Sequence, residues 1–236
     1  VFMIKIDPEF EQKRLWEMNE VWNVLTFEEK EFITRNVEIC QYKKNQVIHH
    51  EGDVPTHVMM LGDGKLRVYK EGVGNKQQII RMLKPYDLFA YRAVIAGETY
   101  NTAVSAFEQS VVYKVPKDIF LDLIKNNHHF CYLFMIEMAK DLGKSDAKVV
   151  NLTQKHIRGR LAEALLTLKQ EYGLDEDGAT ISMYMGREDL ANLSNMTTSN
   201  AIRTLSQFAQ DGIISLDGRK TKILDEEMLI KISKLG

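Results

Sequence analysis

Between residues 128 and 155 the chain carries a seven-residue repeat. Cys131, Met135, Met138, Leu142, Ser145, Val149 and Leu152 follow one another in alternating steps of four and three. That spacing puts a narrow apolar seam on one side of a long helix, the geometry that pairs one helix with another. A helix lying on its own domain needs a wider stripe near period 3.6. The spacing therefore predicts a parallel dimer helix, the alternative being a helix that covers the domain before it. Ser145 is the polar break in the seam, placed to set register or to face a ligand.

The residues before the seam read differently. After a helical start, EFEQKRLWEMNEVWNVL, short alternating apolar stretches begin, broken by EGD, GDG and EGVGN. VIHHEGDVPTHVMMLGDGKLRVYKEG, QQIIRML and SVVYKV are evenly punctuated short strands, as in a sandwich or barrel. Helical character returns near Lys117. The predicted class is α+β: an N-terminal antiparallel β-roll over residues 1–127, a long dimerisation helix over 128–155 and a C-terminal domain over 156–236.

The C-terminal domain carries the clearest functional pattern. GRLAEALLTLKQEYG is helical, and TISMYM is a strand with Ile181, Met183 and Met185 on one face. REDLANLSNMTTSNAIRTLSQFA then reads as two helices. Leu190, Ala191 and Leu193 form the apolar face of the first. Asn195 and Met196 form the turn, since Asn tolerates a left-handed backbone. Thr197 is a good N-cap for the second helix. Ala201, Leu205 and Phe208 point inward, with Ile202 and Ala209 beside them. Thr198, Ser199, Asn200, Arg203 and Ser206 are left near the outer face. No acid occurs from Thr197 to Gln210, as a helix facing phosphates requires. Arg203 is the expected base reader, because a guanidinium meets a guanine edge with two hydrogen bonds. Arg187 is placed to take a phosphate. IISLDGRKTKIL follows as a hairpin around Asp217-Gly218, its arm carrying Arg219, Lys220 and Lys222. Helix–turn–helix plus basic wing predicts a winged-helix reader of double-stranded DNA.

Several classes are excluded. The net charge is −2, so DNA affinity must come from a local patch. Two cysteines, Cys40 and Cys131, give no disulfide framework, no zinc site and no four-cysteine iron–sulfur set; no metal site is expected, and a reducing cytoplasm fits. No apolar run approaches the roughly 18 residues that span a membrane. The N-terminus lacks the pattern of a secretory signal, and a chain starting at Val1 leads us to expect residues upstream. There is no P-loop, HExxH, nucleophile elbow or dinucleotide turn, so no catalytic residue is assigned and no enzyme is expected.

In order, these parts resemble the Crp–Fnr family of bacterial transcription regulators from about Leu25 to Leu224. HHEGDVPTHVMMLGDGKLRVY, KVVNL, IRGRLAEALLTL and the helix–turn–helix carry the likeness. The resemblance implies a homodimer binding two-fold symmetric DNA and a small-molecule effector in the β-roll; RNA polymerase is the further partner if the regulator activates, which the residues leave open. The family's common Arg-Glu pair at the base-reading positions is replaced by Thr198 and Ser199, so its DNA half-site does not carry over.

The resemblance also locates an effector pocket, with Phe89, Ala90, Tyr91, Arg92, Asn101 and Thr102 as candidates and Ser145 and Asp146 facing it from the helix. Cyclic-AMP-binding members carry Gly-Glu and, about ten residues on, Arg-Ser or Arg-Thr followed by Ala. Here the equivalents are Ala90-Tyr91 and Asn101-Thr102-Ala103. Carboxylate and guanidinium are both missing, and burying a phosphate without a counter-charge costs several kcal/mol. Cyclic AMP is therefore not the expected effector, with Arg92 as a substitute cation the exception considered. An iron–sulfur cluster is excluded by cysteine count. Haem stays open as a ligand, with His49-His50, His128-His129, Met135 or Met138 as axial candidates. A haem-dependent gas or redox sensor, or a cyclic-nucleotide-binding module, are the alternative readings. The switch is expected to act at Lys155, His156 and Ile157, before Gly159, setting the recognition helices roughly 34 Å apart.

Overall fold

The computed structural model describes residues 20–72 and 77–235. Most of the expected N-terminal helix lies outside them; its end is α1 (Glu20–Asn23). Next comes α2 (Phe27–Asn36), whose start is set by a capping box. The Thr26 hydroxyl accepts from the Glu29 amide and the Glu29 carboxylate accepts from the Thr26 amide, satisfying two of the amides a helix start leaves free.

Eight short strands follow, interrupted by one short helix: β1 (Glu38–Tyr42), β2 (Val47–His49), β3 (His57–Asp63), β4 (Leu66–Glu71), β5 (Gln77–Leu83), β6 (Leu88–Phe89), α3 (Tyr91–Ala96), β7 (Ala103–Ala106) and β8 (Ser110–Pro116). They make two antiparallel four-stranded sheets, ordered β1-β8-β3-β6 and β2-β7-β4-β5. Strand β3 shows why both faces of its sheet are apolar. Met59 and Leu61 pack with Leu66, Val68, Leu83, Val104 and Ala106 of the other sheet. Val58 and Met60 point the opposite way, onto Trp22, Ile33, Phe120, Phe130 and Phe134. Side chains alternate along a strand, so HVMML serves two cores at once. The turn after β3 requires glycine at position 64: its φ is +85°, and a Cβ there would stand 2.4 Å from the Gln109 carbonyl.

After β8 come α4 (Lys117–Asn126), α5 (His128–Gln154), α6 (Ile157–Tyr172), α7 (Arg187–Leu193), α8 (Thr198–Gln210), β9 (Ile214–Asp217), β10 (Lys220–Ile223) and α9 (Glu226–Leu235). This is the α+β architecture expected: antiparallel roll, long helix, winged helix–turn–helix. The described residues divide into two compact units, 20–70 with 80–142, and 71–72 and 77–79 with 143–235. The division falls inside α5, between Leu142 and Gly143.

TISMYM departs from expectation. Ile181, Met183 and Met185 are buried, so the alternation was correct. The backbone, however, forms only isolated bridges, Thr180 to Lys222 and Leu174 to Ile181. The Ser182 amide donates to the Gly173 carbonyl and the Asp175 amide to the Thr180 carbonyl, which makes the second bridge; neighbouring residues thus pair with different segments, and no ladder forms.

Candidate DNA interface and effector pocket

The recognition helix is built as its sequence specifies. Asn195 takes a left-handed φ of 50°, and the Met196 amide donates to the Ala191 carbonyl at 3.0 Å. Arg160 on α6 donates to the Asn195 carbonyl at 3.1 Å and braces the turn. Thr197 is extended, and its hydroxyl accepts from the Asn200 amide at 3.2 Å, capping α8. Ala201, Leu205 and Phe208 are buried, while Thr198, Ser199, Arg203 and Ser206 are exposed and Asn200 is half-buried. Arg203 Nη2 donates to Asn200 Oδ1 at 2.6 Å, so Asn200 steers the guanidinium along the helix from one turn away. Ile202 corrects the sequence reading. It was expected beside the inner face and is instead 48% exposed. Ala201, Leu205 and Phe208 form an inward stripe so narrow that the next position round the helix falls outside it.

The first acid after the helix is already engaged. Asp211 accepts from Arg158 at 2.5 Å and from Gln207 at 2.8 Å, and these bonds hold its carboxyl below the usual carboxylate range. The Arg158 guanidinium also lies 4.8 Å over the Phe208 ring. The wing forms as expected, with Lys220 opposite Asp217. Its two loop residues are Gly218, at φ +54°, and Arg219. Glycine first is the pattern of a two-residue hairpin loop. Arg219 and Lys220 are exposed, Lys220 lying 5.2 Å over the Tyr184 ring. Lys222, counted with them in the basic arm, is ion-paired to Asp177 at 3.2 Å. Arg187 is the first residue of α7 and half-buried.

The pocket candidates in the roll scatter. Phe89 is buried between the sheets. Ala90 keeps a left-handed φ of 67°, a conformation that suits glycine and costs alanine roughly 1–2 kcal/mol. Arg92 is paired with Glu98 at 3.1 Å on the surface. Asn101 is exposed, its carbonyl accepting from Lys70 at 3.3 Å, and Thr102 is half-buried. Ser145 and Asp146 are exposed on the part of α5 that belongs to the second unit.

Tyr91 is the exception. Its hydroxyl donates to Asp141 Oδ2 at 2.5 Å, and Arg81 Nη1 donates to the same oxygen at 2.9 Å. The Tyr91 ring meets Phe134 edge-on at 5.2 Å. Burial, with the bond to Asp141 adding to it, pushes the Tyr91 phenol up to about 12, so it stays a donor. Sequence reasoning missed Arg81 and Asp141. The only signal was a lone basic residue in QQIIRML and an acid one turn before the polar break in the seam.

The axial-ligand candidates divide between the interior and the surface. His49 is buried and stacks on Tyr100 with ring centroids 3.8 Å apart. Burial lowers its pKa to about 4. His50, His128, His129, Met135 and Met138 are exposed. No group of three or more His, Cys, Asp or Glu suited to a metal ion occurs among the described residues.

On the seam, Met135, Leu142 and Val149 are more than half exposed in the single chain, and Cys131 and Leu152 are partly buried. At the expected hinge, Lys155 donates to Glu163 at 3.0 Å and to Ser233 at 3.2 Å, and Ser233 also bonds Glu163.

An antiparallel roll, a long helix and a capped, acid-free recognition helix beside a basic wing define a DNA-binding regulator. The chain belongs to the Crp–Fnr family of transcription regulators. The cyclic nucleotide-binding domain family matches residues 39–127, and the Crp-like helix-turn-helix domain family matches 159–232. A CRP-like cAMP-activated global transcriptional regulator of Mycobacterium tuberculosis is 19% identical over 84% of this chain and 89% of its own. An anaerobic regulatory protein of Aggregatibacter actinomycetemcomitans is 24% identical over 81% of this chain and 74% of its own. The structure of FixK2 from Bradyrhizobium japonicum superposes with a TM-score of 0.74 at 21% identity, covering 83% of this chain and 96% of that one. No helix among the described residues is long and apolar enough to cross a membrane.

Proposed function

We propose that the protein is a cytoplasmic homodimer that reads two-fold symmetric duplex DNA without cyclic AMP. It carries out no chemistry of its own, and RNA polymerase is its further partner when bound to DNA. The single observation that carries this reading is the trio Tyr91, Asp141 and Arg81. In the cyclic-AMP-binding relatives the first βα turn of this loop offers a carboxylate to a ribose. Here Tyr91 stands at that place and spends its hydroxyl on Asp141. Arg81, a cation near the loop, is committed to the same carboxylate. An incoming cyclic phosphate would meet a like charge at Asp141 and would have to take Arg81 from it. Dimerisation uses the exposed seam of α5, Met135, Met138, Leu142 and Val149, whose apolar side chains would otherwise face water. Any effector acts through Tyr91 and its surroundings by differential affinity for two states. The Lys155–Glu163–Ser233 bonds mark where such a switch would be resisted or released.

The test is selection of bound sequences from a random duplex pool, with and without cyclic AMP. A two-fold symmetric motif in both arms supports the reading. A motif only with cyclic AMP overturns the part assigned to Tyr91 and Asp141, and no motif in either arm overturns ligand-independent binding.

A further inference from the structure

We infer that Ile202 reads the C5-methyl group of a thymine in each DNA half-site, beside the base pair contacted by Arg203; this rests on the DNA-reading role of α8. Ile202 is a large aliphatic side chain, 48% exposed. Thr198 and Ser206 lie four residues to either side of it, which places the three in one ridge along the helix. Ser199 lies three residues before, and Arg203 is the next residue. Its exposed neighbours on this face are hydroxyls and a guanidinium. The inner stripe of α8 is already filled by Ala201, Leu205 and Phe208, so Ile202 has no packing duty there. A major groove presents donors and acceptors along its floor and one apolar group, the thymine methyl. Burial against that methyl is the contact a lone aliphatic residue on a recognition helix can make. The hydroxyls of Thr198 and Ser199 are short and carry little base information. Specificity therefore comes to rest on a polar reader, Arg203, with an apolar reader beside it.

The experiment uses the full chain and its own selected site. Sites are selected with wild-type protein, and the thymine whose identity is lost on selection with Ile202→Ala is located. That thymine is then replaced by deoxyuridine, which removes the methyl and keeps the base-pairing edge. Affinities are measured at one fixed salt concentration. Wild-type protein should lose about four-fold per substituted half-site, the factor expected for one buried methyl group. Ile202→Ala should be weaker on the thymine site and indifferent to deoxyuridine, while its affinity for unrelated duplex stays at the wild-type level. Ile202→Leu should restore part of the sensitivity. A wild-type site with no thymine requirement, or sensitivity that persists in Ile202→Ala, overturns the inference and leaves the DNA-reading role standing. If wild-type protein selects no site at all, the DNA-reading role fails and the inference falls with it.

Discussion

The Tyr91 hydroxyl donates to the Asp141 carboxylate at 2.5 Å, tying the short helix after β6 to the long helix α5. The two residues are 50 apart in sequence, and Arg81 on β5 joins them from a third element. The relation is a direct link between the short helix after β6 and the helix that carries the seven-residue seam.

Tyr91→Phe keeps the ring against Phe134 and removes the hydroxyl. A hydrogen bond to a charged group is worth about 1.5–3 kcal/mol, so urea unfolding should show a loss of that size. Asp141→Asn should cost at least as much, because it also leaves Arg81 without its charge partner. Neither variant should gain cyclic-AMP affinity in a calorimetric titration, since neither supplies the missing cradle.

Stability should fall in mild acid. His49 has its folded pKa lowered to about 4 by burial, against about 6.5 when unfolded. Between those values the unfolded chain binds the extra proton, so stability rises with pH across that window and is lost as pH falls from 6.5 to 4. The span corresponds to about 3 kcal/mol at most. His57 is shifted in the same direction, mainly by burial, so the check is a difference. His49→Gln should unfold with a clearly flatter pH dependence than the wild type between pH 4 and 6.5.

Arg203→Ala should weaken binding to the selected site by roughly 1–3 kcal/mol and relax one base position, with affinity for unrelated duplex changed far less. Asn200→Ala should give a smaller loss at the same position, because it frees the guanidinium without deleting it. Binding curves on the selected site and its single-base variants measure both.

Leu142→Lys should shift the protein toward monomer in sedimentation. It puts a charge at the centre of an apolar seam whose residues are exposed in the single chain. DNA affinity should fall with it, since a monomer contacts one half-site.

The parts legible in the sequence were those fixed by neighbours along the chain. The Thr197 cap, the left-handed Asn195, the wing and the length of α5 all follow from spacing and local chemistry. The split of Val58 and Met60 from Met59 and Leu61 was not read in advance, because an unbroken apolar run does not say that each face meets a core. What stayed hidden depended on distant partners. Arg81 and Asp141 meet across 60 residues, and neither has a local signature. His49 was read only as an axial-ligand candidate because nothing nearby announces Tyr100 as its stacking partner. TISMYM had the right alternation, but Thr180 bridges to Lys222 and Ile181 to Leu174, and local alternation does not say which partner a residue meets. Ile202 was misplaced because an apolar residue next to an inner stripe is ordinarily part of it.

The Arg158–Asp211 bond closes the far end of α8, as Thr197 closes its start, and Phe208 lies under the same guanidinium. The helix is thus held at both ends and along its inside by residues that are not on its outer face. The foldability of this element is uncoupled from its vocabulary. Thr198, Ser199, Ile202 and Arg203 can be exchanged with little structural penalty, so a lineage could redirect such a regulator to a new set of promoters through a few surface substitutions while the scaffold stays unchanged.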